Sequence, residues 1–196
     1  SEASYSPLNW SGPSMFVDSL QATGLEGSIV QSLRADQVRA DVNWRAIFQG
    51  AWRVDQIQVV SFDATFRPGS IVPKDSIEVP RAPPRSGIAS WLPSRFEVGE
   101  LDIGRARLHF RSQRGLEIAS LRDAALDIYP DGKGWAIDGK GGLLSVSKLP
   151  SLKVVSFRSR TQGDMFFLTN GEFRLGEAGK ISASGEFGDN SKLRIE

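Results

Sequence analysis

The sequence predicts a mainly β protein made of long, bent strands that share one continuous apolar face, with two short amphipathic helices. Three observations carry this. Apolar residues recur at spacings of two interrupted by threes; the same pattern is written twice, from Trp52 and again from Phe96, an offset of 44 residues; and the C-terminal half is a series of short alternating segments closed by glycine or polar residues. A regular strand needs twos throughout, and a helix needs threes and fours.

The pattern begins at "LRADQVRADV" (33–42), with Leu33, Ala35, Val38, Ala40 and Val42. "WRVDQIQVVSFDATF" (52–66) places Trp52, Val54, Ile57, Val59, Phe62 and Phe66 in a two-and-three rhythm, with Ala64 between the last two. "FEVGELDIGRARLHF" (96–110) repeats it with Phe96, Val98, Leu101, Ile103, Ala106, Leu108 and Phe110. "LEIASLRDAALDIYP" (116–130) gives Leu116, Ile118, Leu121, Ala124, Leu126 and Ile128. A three-residue step inside a strand means one inserted residue, a bulge that slips the side-chain phase and keeps the same face apolar. Gly99 and Gly104 stand at two of these steps, where a bulge tolerates glycine best. The alternative, two strands per segment joined by a tight turn, leaves the fold class unchanged.

A short helix is expected before each repeat. "NWRAIFQG" opens on Asn43, a good N-cap, closes at Gly50, and sets Trp44, Ile47 and Phe48 on one face. "SGIASWLPSRF" repeats the triad with Ile88, Trp91 and Leu92 before Pro93 stops it. Helices are therefore expected at 43–49 and near 86–92. Between the units, residues 67–85 carry Pro68, Pro73, Pro80, Pro83 and Pro84 and read as an exposed excursion from the sheet. The C-terminal half reads as a meander, with turn signals at Asp131-Gly132 and Asp138-Gly139. "LRIE" starts one more strand, so a longer natural chain is expected.

Composition narrows the function classes. The 196 residues hold 24 Lys plus Arg and 23 Asp plus Glu, a formal net charge of +1, with the signs interleaved. A nucleic-acid surface needs a basic stripe, so none is expected. Without cysteine there is no disulfide, thiolate nucleophile or thiolate metal site. The single histidine, His109, alternates with Leu108 and Phe110 beside Arg107 and Arg111, which reads as a surface position rather than a metal ligand or base. Asp131, Asp138, Glu172 and Glu177 fall at turns or strand ends, and no pair is selected for acid–base work. "GKGG" and "GEFGDNSK" lack the strand-to-helix context of a phosphate loop. Neither a catalytic residue nor a metal or cofactor site is expected. No apolar run approaches the roughly 20 residues of a membrane span, and the opening "SEASYSPLNW" is no signal peptide.

"LNWSGPSMFVDSLQATG", "IFQGAWRVDQIQVVSFDATF", "SWLPSRFEVGELDIGRARLHF", "GWAIDGKGG" and "FRLGEAGKISASGEFG" together cover most of the chain. Their arrangement resembles the AsmA-like family of Gram-negative envelope proteins, related to TamB and to the bridge-like lipid-transfer proteins. The Pro-rich excursion departs from that pattern, and the family's usual N-terminal membrane helix is absent. The resemblance implies an elongated, bent antiparallel sheet folded lengthwise into a groove or taco whose apolar face shelters acyl chains. It implies a single module over 1–196, part of a longer periplasmic protein anchored to the inner membrane by a segment outside this sequence. Phospholipid or another acyl lipid would be the partner, in lipid transport or outer-membrane assembly, without catalysis. The lipid-groove candidates are the repeated residues Trp52, Val54, Phe62, Phe66, Phe96, Leu101, Leu108 and Phe110. The alternative is a non-enzymatic structural or adhesive β-domain, a scaffold or carbohydrate-binding sandwich, whose apolar faces close on each other.

Overall fold

A computed structural model describes residues 2–24, 28–48, 50–67, 95–132, 134–162, 165–177, 179–187 and 192–195. The N-terminal strands are β1 (Glu2–Tyr5), β2 (Asn9–Ser11), β3 (Ser14–Thr23) and β4 (Val30–Val42). A single helical turn, α1 (Trp44–Ile47), leads into β5 (Ala51–Phe66), and β6 (Arg95–Arg111) and β7 (Glu117–Asp131) follow. The C-terminal strands are β8 (Gly134–Lys140), β9 (Leu143–Val146), β10 (Leu152–Gln162), β11 (Met165–Leu175), β12 (Gly179–Phe187) and β13 (Lys192–Ile195). The expected second helix, near 86–92, and residues 68–85 of the expected excursion lie outside the described residues.

All thirteen strands belong to one sheet, in the order β1-β3-β4-β5-β6-β7-β8-β10-β11-β12-β13, with β2 on β3 and β9 bridging β7 and β10. Among the described residues no ladder joins β1 to β13, so the sheet is open. Substantial backbone contact between elements is confined to ladder neighbours and to α1 on β5. No second layer of described secondary structure covers the sheet.

The sheet is antiparallel as expected, except at one place. β5 and β6 run parallel, from Ala51 beside Arg95 to Phe66 beside Phe110. A parallel pair needs a crossover of a dozen or more residues, and the long stretch between β5 and β6 supplies it. The repeat offset of 44 residues is thus the register itself: Val54 lies beside Val98, Ile57 beside Leu101, Phe62 beside Ala106.

At the three-residue steps the pairing is interrupted: against β4 the first step is a bulge, at Asp55, whereas Val60 and Gln37 are skipped together without a shift of register. The β5–β6 ladder omits Asp55 and Gly99, then Val60 and Gly104, and regains the same register after each. At such a step two consecutive residues, Asp55 with Gln56 or Val60 with Ser61, leave the apolar face. A Cβ at Gly99 would collide with the Asp55 carbonyl oxygen, so the backbones meet here only because that residue is glycine. The second interruption runs on across the sheet. Gln37 (φ 54°) is unpaired in both ladders of β4, Asp123 (φ 57°) interrupts β6–β7, and Val155 is passed over between β10 and β11. This aligned crease bends the sheet lengthwise.

Several local expectations are corrected. Asn43 does not cap α1 with its side chain; its amide instead donates to the Asp55 carboxylate at 3.1 Å. Among the described side chains of α1, Ala46 is the buried one, while Phe48, just after the helix, is 93% exposed. A single turn held close on β5 seats a methyl group more easily than a ring. Leu116, just before β7, and Ile118 within it are exposed, because Ala119 and Leu121 pair with Phe110 and Leu108 and carry the apolar phase. Asp138-Gly139 makes no turn. It sits inside β8, where the Phe157 ring occupies the space above Gly139, and the chain reverses at Gly141 and Gly142 (φ 71° and 86°).

Candidate functional site

The apolar phases of β4 to β7, β10 and β11 converge on one cluster of buried residues, with Ala35, Val59, Ile103, Ala106, Leu121, Ala124, Leu126, Val154 and Phe173 at its centre. Larger partly buried side chains surround them, including Ile57, Phe62, Leu101, Leu108 and Phe157.

These larger side chains stop short of filling the concave face. They border a cavity of about 620 Å³, lined by Phe62 and Phe66 of β5, Leu101, Leu108 and Phe110 of β6, and residues of β7 to β11 including Phe157, Phe166 and Phe173. β5 and β11 are five ladder steps apart, roughly 24 Å in a flat sheet. Sharing one cavity means the sheet is strongly curled. Among the described lining residues Ser159 alone has a polar side chain, and its Oγ donates to the Ile137 carbonyl oxygen at 3.3 Å. The walls therefore offer a ligand surface and almost no hydrogen bonds. The volume lies within the range of ligand-sized pockets.

Of the eight candidates, Phe62, Phe66, Leu101, Leu108 and Phe110 line this cavity. Val54 does not; it is buried in an adjoining cluster with Ala40 and Val42. Ile57 packs against both clusters, so the apolar face runs unbroken between them. Trp52 lies two residues before Val54 in uninterrupted pairing, hence on the same face, at the α1 end. Phe96 pairs with Trp52 along the backbone, and its side chain lies outside the described residues.

The far wall was missed from sequence. The signal was present: Leu152, Val154, Phe157 and Ser159 step by two, three and two, and so do Phe166, Leu168, Gly171 and Phe173. Both steps of three are bulges, at Val155 and at Thr169-Asn170, where the ladders skip.

The convex face is polar. Arg34–Asp36, Arg39–Asp41 and Arg53–Asp55 pair along their own strands at 3.1, 3.3 and 2.8 Å. Across strands, Arg158 grips both oxygens of Asp138 at 2.8 and 2.9 Å, and the Tyr129 hydroxyl donates to the same carboxylate. The Arg158 guanidinium first, and Tyr129 after it, hold the Asp138 carboxyl below the usual range. Asp41 is lowered likewise, chiefly by the Ser14 hydroxyl and then by Arg39. His109 belongs to this face, with Nδ1 2.9 Å from Glu117, whose pKa it lowers. Among the described residues no group of three His, Asp or Glu is disposed to hold a metal ion.

Compared with known proteins, the chain matches no family model and no curated protein sequence.

Proposed function

We propose that this chain is a non-enzymatic envelope module that binds or conducts lipid acyl chains along the apolar face of its curled sheet, in lipid transport or outer-membrane assembly. The observation that supports it most is the cavity of about 620 Å³ whose described lining has one polar side chain, Ser159, on a sheet with no second described layer above it. A closed core of this size would be filled by side chains. Acyl methylenes entering it contribute roughly 0.8 kcal/mol each by leaving water. Nearly bare walls of this kind select length and apolarity over headgroup. Phospholipid or a similar acyl lipid is the proposed partner. The proposed location is the periplasm, with inner-membrane anchoring supplied by chain outside this sequence. The resemblance to AsmA-like proteins supports the same reading.

The test is native mass spectrometry of protein purified without detergent, followed by solvent extraction and titration with a fluorescent acyl lipid. Co-purified lipid, or saturable uptake competed by phospholipid, is expected. Bare protein that takes up no acyl chain would sink the proposal and leave a structural or adhesive β-domain.

A further inference from the structure

Aromatic side chains collect outside the groove, at the end of the sheet where α1 joins β4 to β5. Trp10 of β2 and Trp44 of α1 lie with ring centroids 5.3 Å apart and planes tilted by 41°. Both stay wet, at 50% and 42% exposure. Phe48, one helical turn after Trp44 on the same side of the helix, is 93% exposed. A soluble surface seldom leaves such a group uncovered without a partner for it.

The charges around the aromatics indicate which partner. Asp41 and Asp55, on the strand ends flanking α1, are neutralised by Arg39 and Arg53, and Asn43 also donates to Asp55. Arg45, exposed on α1, forms no ion pair among the described residues, and α1 has no acidic residue. Among the described residues this end therefore presents two indoles and a phenyl ring beside the exposed guanidinium of Arg45. Indoles favour the headgroup level of a bilayer, where one part of the ring is apolar and the N–H stays hydrated.

We propose that this end docks on a lipid bilayer bearing anionic headgroups, with Phe48 and Trp44 inserted at the interface and Arg45 among the phosphates. The same end carries Trp52, from which the apolar face leads through Val54 and Ile57 to the cavity. Docking does not require the cavity to hold lipid, so it stands separately from the function proposed above.

Flotation with phosphatidylethanolamine–phosphatidylglycerol vesicles, against phosphatidylcholine vesicles, tests it on the intact chain. The wild type should float with the anionic vesicles, and brominated acyl chains should quench part of its Trp emission. Phe48→Ser and Trp44→Ser should weaken binding by about tenfold each through lost apolar burial, with circular dichroism unchanged. Trp10→Phe with Trp44→Phe should remove the quenched component, and Arg45→Glu should abolish the preference for anionic vesicles. Wild-type protein that floats with neither vesicle overturns the proposal, as do variants that float like the wild type. Self-association lost in Phe48→Ser, without vesicle binding in the wild type, would assign the patch to a second copy. Acyl uptake without vesicle binding defeats docking alone, and vesicle binding without uptake defeats the groove alone.

Discussion

Phe66 and Phe110 stack with ring centroids 5.3 Å apart and planes 17° from parallel, at the last shared register of the parallel pair β5–β6. They occupy equivalent places in the two repeats, so an internal similarity of sequence has become a lateral contact. Both rings line the cavity. A double-mutant cycle with Phe66→Ala and Phe110→Ala should give a coupling of about 0.5–1.5 kcal/mol. Denaturant melts of the four proteins would measure it, and additive losses would mean the rings do not stack in solution.

Charge placed on the concave face should separate groove from core. Phe62 and Leu101 are only partly buried at the cavity wall, whereas Ile103 is 3% exposed at the centre of the cluster. Phe62→Asp and Leu101→Asp should leave a folded protein that no longer takes up acyl lipid. Ile103 also borders the cavity but lies deeper, and Ile103→Asp should unfold the protein, at a cost above about 4 kcal/mol, because a carboxylate on that nearly buried floor finds no polar partner. Thermal melts read alongside lipid uptake decide it; unfolding by all three variants would show a closed core.

The two glycines of β6 should differ in tolerance. A methyl group at Gly99 runs into the Asp55 carbonyl, while at Gly104 its nearest neighbour is the Val60 oxygen at 3.3 Å. Gly99→Ala should destabilise by about 2 kcal/mol or more, and Gly104→Ala by under about 1 kcal/mol. Equal effects in urea melts would contradict the close approach of β5 and β6.

The crease depends on two non-glycine residues in left-handed backbone, Gln37 and Asp123. Replacing either with valine should cost about 1–2 kcal/mol, since a β-branched side chain is strained at positive φ, while glycine there should be nearly neutral. Chemical denaturation of the Val and Gly variants at each site measures the difference. Valine tolerated as well as glycine would mean that these residues are not held at positive φ.

Acid should loosen the convex face. The folded state lowers the carboxyl pKa values of Asp138, Asp41 and Glu117. Their contribution is therefore complete above the unfolded value of about 4 and is lost as pH falls through the lower folded value. Asp138→Asn should melt lower than the wild type near neutral pH, and the gap should close below about pH 4. A gap independent of pH would mean that the Arg158 pair contributes nothing through charge.

Much of this fold is legible along the chain because a bulge is a local event. Each extra residue must point to the polar side if the apolar phase is to continue, so Val54 to Ile57 and Val59 to Phe62 announce by spacing alone the interruptions of pairing at Asp55 and Val60. The same logic placed Leu101, Leu108 and Phe110 on one face with Phe62 and Phe66, and these five line the cavity. The rhythm misleads at Ile118, expected on the apolar phase: the β6–β7 ladder passes over this residue, and Ala119 takes the place beside Phe110.

Tertiary structure decided what spacing cannot encode. Ladder choice depends on how far the chain travels between strands, so the parallel pairing of the two repeats is invisible in either repeat alone. Curl depends on bulges lining up across many strands, and only that alignment brings Phe157 and Phe173 to the cavity shared with Phe62. The exposure of Phe48 is likewise a matter of what lies opposite. The sequence by itself determined which residues are apolar and which way each strand presents them; the curled sheet determined which of them meet, because contact between distant strands is a property of the whole surface.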